Sequence, residues 1–554
     1  LNSAQSTQAE LDVYHSQMRQ LDNMLADSKS GLNGALQTFF NGLNDVANRP
    51  SDSATRQVSF DQAQSLVARF RSLDDRIASI REGANEQIGA SVQAVNTYAG
   101  QIAKLNEQIG AMESNTEGQQ ANDLRDQRDL LLSKLGEEIR VTTVEQSDGS
   151  YNVFIGNGQA LVVGSKAGRL GALTSTTDPQ KLDLAFSGGG NFVRFNPESI
   201  KGGRLSGLVS FQSSGLDAAK NQLGRLALNL AGTFNQQHHL GQDLTGALGG
   251  DFFSAPTPQV NQGAANTGNA SLGATITDYT QLAASDYRVQ FDGSNYTFTR
   301  LSDNTATTSA TLPHTIDGVQ LSVSSGAMAA GDEFLLRPTF SAAGRLGFAL
   351  TNSAQIASAS PVRGAIATAN AGNGTVSVAA TNSTNANLLS NVTISFTGAG
   401  TFDVSGAGTG NPTGLTYTPG GTISFNGWSA QISGTPAPGD TFTISANAGA
   451  VSDNRNALAL TGLQSQKLLD GGTSSYEGSY AQLIGYVGSK TRELEIGSSA
   501  QAGVVRQARD AQQSFSGVNL EEEAANLIRY QAAYQAAAKA MEIARTLFNQ
   551  LLDL

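Results

Sequence analysis

The chain has 554 residues, too many for one hydrophobic core, so two to four domains are expected. A net charge of −12 argues against a nucleic-acid or anionic-membrane partner, and no apolar run approaches the ~20 residues that span a bilayer. Cysteine is absent, which excludes disulfides, thiolate metal sites and cysteine nucleophiles; the 61 glycines and the low charged fraction of 15% suit a soluble surface protein.

The first residues, Leu1-Asn2-Ser3-Ala4-Gln5, offer neither an initiator methionine nor a basic segment leading into an apolar one, so no cleavable signal peptide is expected. The beginning reads as a truncation. From Ala9 to about Leu135 the pattern is helical. Leu11, Met18, Leu21 and Leu25 form one stripe, and Leu36, Phe39, Phe40, Leu43 and Val46 a second. Pro50 breaks the chain, since the residue before a proline is steered away from helix. Heptad spacing then carries Ala63, Leu66, Phe70, Leu73, Ile77, Ile80 and Ala84. The phase slips at Ile88 and resumes with Val92, Val95, Tyr98, Ile102, Leu105, Ile109 and Met112, a stutter in a rod of roughly 75 Å. The charged run from Asp123 to Leu131 is expected to be a solvated helix face with i,i+4 pairs.

Near Val141 the period changes to two, and Asp148-Gly149 and Asn157-Gly158 are hairpin turns between short strands. Helix returns with Leu208, Phe211, Leu216, Leu223, Leu226, Leu230 and Phe234. The pair His238, His239 falls at its end. Adjacent helical side chains diverge by about 100°, whereas a metal pair needs i,i+4 spacing, so helix-end polar residues are expected and no metal site.

From Gly249 to Ala450 the composition shifts to Thr, Val, Ile and Phe between Gly, Asn and Asp turns, and Glu333 is the only glutamate between Glu198 and Glu477. Two segments repeat. Tyr287–Gly293 matches Val392–Gly398, and Val319–Val323 with Gly331–Leu336 matches Ala430–Ser433 with Gly439–Ile444. Two duplicated β modules are predicted, with an Ala-rich linker or short helix at 341–360. Each Gly-Asp pair reads as a turn, since one carboxylate makes a poor calcium loop.

Helical pattern resumes at Ser452 and ends in a helix over 516–554. Asn519 is the expected N-cap, with Glu522 three residues on, and no Gly or Pro follows Leu520. Leu520, Leu527, Tyr534, Met541 and Phe548 form one row of a heptad seam, and Tyr530, Ala537, Ala544 and Leu551 the other. Such a seam suits either docking on its own domain or partner helices in neighbouring chains.

Three blocks carry a resemblance. The run Ser516-Gly517-Val518-Asn519-Leu520-Glu521-Glu522-Glu523, with Asn526-Leu527-Ile528-Arg529-Tyr530-Gln531 and Ala533-Tyr534-Gln535-Ala536, resembles the C-terminal signature of the bacterial flagellar hook-associated protein 1 family. Related endings occur in hook and rod proteins. Phe234-Asn235-Gln236-Gln237-His238-His239-Leu240-Gly241-Gln242-Asp243-Leu244 and Ser452-Asp453-Asn454-Arg455-Asn456-Ala457-Leu458 resemble further blocks of that family.

The resemblance implies a structural part of the hook–filament junction, extracellular and exported without a cleaved signal. Implied partners are copies of itself in a helical tube, the hook protein, hook-associated protein 3 and a cytoplasmic export chaperone. It also implies an additional N-terminal helical segment that pairs with the final helix.

The expected fold is multidomain α+β. A helical bundle and coiled-coil body spans 1–140, 204–248 and 452–554, with a small β hairpin region at 141–203, a first β domain at 249–340 and a second, inserted at 361–451. No nucleophile elbow, phosphate loop or zinc motif occurs, so no catalytic residue, metal or cofactor is assigned. The competing reading is a secreted adhesin with β modules on a helical stalk.

Overall fold

The computed structural model describes residues 1–27, 31–115, 121–196, 199–516 and 520–552. The first helices are α1 (Asn2–Leu25), α2 (Leu32–Asn48), α3 (Ser53–Asn115) and α4 (Asn122–Glu138). After a small β region come α5 (Gly203–Ser210) and α6 (Asp217–His239), joined by a π-helical segment Phe211–Leu216. A Cβ on Gly207 would lie 2.4 Å from the carbonyl oxygen of Glu10, so only glycine lets α5 approach α1 this closely. Later come a single turn α7 (Ala342–Arg345), then α8 (Arg455–Gly462), α9 (Tyr476–Ser516) and α10 (Leu520–Leu552).

The apolar stripes of α1 and α2 meet those of α3, α6, α8 and α9 in one core, around Met18, Phe39, Phe70, Phe234, Leu460 and Tyr476. N- and C-terminal helices therefore pack together, as the stripes require. Their seam carries its own hydrogen bonds: Gln501 Nε2 donates to Ala4 O at 2.9 Å and Tyr480 OH to Leu25 O at 3.0 Å. The stretch 341–360 also belongs to this body, burying Ala343, Leu346 and Ile356, while Arg56 donates to Ile356 O at 2.8 Å.

The stutter has a structural meaning. Ala84 is the last α3 residue in the first core, and Ile88 the first in a second core built with Leu132, Leu135, Val153, Ile155 and Leu161. Shifting the phase turns the apolar stripe toward new partners. Helix α3 starts ten residues earlier than the heptad run suggested (53 against 63), and Met112 near its end is exposed.

The second core is covered by a four-stranded antiparallel sheet, Val141–Glu145, Tyr151–Ile155, Gln159–Val163 and Lys166–Ala167. One expectation fails here. Arg128 lies in the run expected to be solvated, yet it is buried, its Nη1 donating to Gly149 O at 2.7 Å and its guanidinium 3.6 Å from the Tyr151 ring centre. The hairpin folds back over α4, so its turn carbonyl and tyrosine face take the charge that solvent would otherwise hold. Arg125 pairs with Glu113 at 2.9 Å, across two helices.

The two β units repeat strand for strand. In the first, a five-stranded sheet runs in the order Ala306–Ser309, Tyr296–Arg300, Tyr287–Phe291, Glu333–Arg337, Gln259–Gln262 and faces Ser271–Ile276, Val319–Ser325, His314–Ile316. In the second, Leu415–Thr416, Thr401–Ser405, Val392–Gly398, Thr441–Ala446, Val362–Ile366 face Thr375–Ala380, Trp428–Ser433, Thr422–Phe425. Each Gly-Asp aspartate closes its unit in the same way. Asp332 accepts the N–H of Thr267 and of Ala329, both at 2.8 Å; Asp440 accepts those of Ala371 at 2.7 Å and Ala437 at 2.8 Å. A Cβ on Gly268 or Gly372 would fall 2.3 or 2.6 Å from that carboxylate. The second unit has its own core around Val392, Ile394, Phe396, Trp428 and Phe442.

Ser516 ends α9, so the final helix starts later than the sequence suggested; the expected cap Asn519 lies outside the described residues.

Candidate assembly interface

Helix α10 carries the proposed seam, and the rest of the chain leaves it uncovered. Leu527, Tyr530, Tyr534, Met541, Phe548 and Leu551 are 60% to 78% exposed, and Ala537 and Ala544 are exposed with them. Leu520 opens the helix, though its side chain lies outside the described residues. The acidic residues Glu521, Glu522 and Glu523 sit in the first turn, where the helix dipole favours them.

The heptad reading missed part of this surface. Ile528, Ile543, Leu547 and Leu552 are exposed as well and lie off the seam rows. A helix that is apolar all round is one that is surrounded in its working state. Counting apolar residues on every face, rather than only along the best row, would have found them.

Two buried polar clusters fix how the parts of the body sit. At Phe340, Arg337 stacks at 3.2 Å from the ring centre, with Lys220 at 4.7 Å and Arg81 at 5.1 Å. Arg337 pairs with Asp178 and with Asp286, each at 2.9 Å, Lys220 pairs with Asp74 at 3.3 Å, and Asp217 pairs with both Arg81 and Lys181. Four cations meet four carboxylates, so helices α3 and α6, the loop near Asp178 and the first β unit lock at one neutral node. Burial pushes Asp286 above the ordinary carboxylate range, against the pull of Arg337. For Asp217, burial pushes upward too, but Lys181 and Arg81 prevail and hold it below that range.

The histidine pair forms no metal site. His238 is buried: its Nδ1 donates to Gly250 O at 2.7 Å, while its Nε2 accepts the N–H of Ala357 at 2.9 Å. His239 points elsewhere, to Asp251 at 2.9 Å. Among the described residues, no group of three or more His, Cys, Asp or Glu is placed to hold a metal ion. No described helix is long and apolar enough to cross a membrane.

Comparison with known proteins then identifies the lineage of this architecture. Residues 18–253 match the flagellar hook-associated protein FlgK helical domain, 261–338 the flagellar hook-associated protein 1 D2-like domain, and 512–554 the flagellar basal body rod FlgEFG protein C-terminal region. Flagellar hook-associated protein 1 of Salmonella typhimurium is 34% identical over 560 residues, spanning 100% of this chain and 86% of that protein. The chain belongs to the flagellar hook-associated protein 1 family. The family member of Escherichia coli is 33% identical over 559 residues with the same coverage. The flagellar hook junction protein FlgK from Burkholderia pseudomallei superposes with a TM-score of 0.85 at 34% identity, covering 93% of this chain and 99% of that one. Flagellar hook-associated protein 1 is a structural, non-catalytic component of the hook–filament junction, located outside the cell on the flagellum. None of the proteins named here is an adhesin.

Proposed function

We propose that copies of this chain stand side by side in a helical tube at the junction, joined through α10. The seam residues Leu520, Leu527, Tyr530, Tyr534, Ala537, Met541, Ala544, Phe548 and Leu551 meet helices of neighbouring copies, with hook protein on one side and hook-associated protein 3 on the other. The helical body (1–140, 204–248, 452–554) faces the tube, and the β domains at 249–340 and 361–451 face outward. Before assembly an export chaperone covers α10 in the cytoplasm, and the chain leaves without a cleaved signal. The exposure of the α10 seam carries this reading. Burying a side chain of Leu, Met or Phe size is worth roughly 1.5–3 kcal/mol, so six such residues supply a strong drive to associate.

The test separates folding from assembly. In the chain carrying Leu527→Asp and Met541→Asp, thermal unfolding of the purified protein should stay nearly unchanged, because both side chains already face solvent. Motility and filament attachment should be lost, since a carboxylate buried between helices has no partner there. A large drop in melting temperature would place α10 in the subunit's own core and end the proposal.

A further inference from the structure

The duplication of the β unit supplies an internal comparison between one covered strand edge and its bare twin. Strand Gln259–Gln262 pairs on one side with Glu333–Arg337. Gly263 donates to Glu333 O at 2.9 Å, so alternation along the strand turns the backbone groups of Val260, Gln262 and Ala264 the other way. There Ala264 donates its N–H to Thr176 O at 3.1 Å, and Asn261 Nδ2 donates to Thr177 O at 3.0 Å. A length of chain from the small β region lies along that edge.

In the second unit the matching strand is Val362–Ile366, paired with Thr441–Ala446. Asn447 donates to Pro361 O at 2.9 Å and Ala367 to Thr441 O at 3.2 Å. The same alternation turns Val362, Gly364, Ile366 and Thr368 outward. Arg455 covers the Val362 carbonyl at 2.9 Å, but the N–H groups of Gly364, Ile366 and Thr368 meet no partner among the described residues. Ala365, Ile366 and Thr368 are exposed. Proteins usually blunt such an edge with charge, proline or a cover; after Arg363 the next charge is Asp403.

We infer that the edge at 364–368 pairs with an extended backbone segment of a second copy of this chain. Between Arg363 and Asp440 only Asp403 is charged, whereas the whole chain carries −12, so two copies meet here with the least like-charge repulsion. Main-chain pairing needs no charged side chain, and the first unit shows the occupant such an edge accepts. The inference rests on the reading that copies stand side by side.

The chain has no cysteine, so Ile366→Cys gives one attachment point for benzophenone maleimide in flagella assembled from the full-length protein. Tyr534→Cys on α10 serves as the parallel site. Illumination should yield a covalent dimer from position 366 in which both cross-linked peptides belong to this chain. A cross-link from 366 to a different protein, or none there while 534 joins two copies, overturns the inference alone. Failure of both positions to join copies overturns the side-by-side arrangement itself.

Discussion

Ala357 donates its backbone N–H to Nε2 of buried His238, 2.9 Å away, which fixes the ring as the neutral tautomer protonated on Nδ1. Burial lowers its pKa from 6.5 to about 4, because a proton on Nε2 would face that N–H in a dry site. Between those two values the unfolded chain binds a proton that the folded one refuses. Stability should therefore hold above about pH 6.5 and fall by about 3 kcal/mol as the pH drops toward 4. Urea titrations followed by helical ellipticity at several pH values measure this. His238→Gln should be less stable near neutrality yet lose less on acidification, and an unchanged acid slope would assign the loss to other groups.

Arg337 neutralises two carboxylates that burial makes costly, Asp178 and Asp286. Removing it as Arg337→Ala leaves both facing Phe340 without a counter-charge. A destabilisation of about 3–5 kcal/mol is expected, the range for breaking a buried pair. Arg337→Lys should recover part of this, since an ammonium restores charge but not the two-armed geometry. Denaturant unfolding of the three proteins gives the ranking, and equal stability of Ala and Lys variants would mean the geometry alone matters.

The second β unit holds the only tryptophan, Trp428, fully buried in its own core. Asp440→Ala strips the acceptor from the N–H groups of Ala371, Gly372 and Ala437. Emission of Trp428 should shift to the red at lower denaturant, while helical ellipticity keeps its midpoint. Asp332→Ala, in the first unit, should leave the tryptophan signal alone.

Excising residues 361–451 should leave helix content unchanged. The ties to the body are local: Arg455 donates to Val378 O at 3.0 Å and Val362 O at 2.9 Å, and Asn447 donates to Ser360 O at 2.8 Å. Loss of the circular dichroism minimum on deletion would make the unit part of the bundle core.

Much of this architecture could be read from apolar spacing. The stripes of α1, α2 and α3, the slip at Ile88, the Asn-Gly and Asp-Gly turns and the α10 seam each leave a periodic mark. What spacing hides is the buried charge. Arg128, Arg337 and Asp286 look like surface residues in sequence because their partners lie far along the chain, and only the folded topology brings them together. A subtler mark went unread: Asn266-Thr267-Gly268-Asn269 and Asn370-Ala371-Gly372-Asn373 share one pattern. In both, the first asparagine brackets the strand after the Gly-Asp turn, accepting from Glu333 N at 2.9 Å and from Thr441 N at 2.8 Å.

Helix α3 threads both cores of the body without a proline across its 63 residues. At about 1.5 Å per residue it is a shaft of roughly 95 Å. Neither core can twist against the other unless that shaft bends or its i→i−4 ladder opens. A torque entering through the α1–α9 seam is therefore delivered to the α4 side as rotation of one rigid piece, with little of it stored as internal wind-up. In a rotating coupling, that stiffness sets how faithfully one end follows the other.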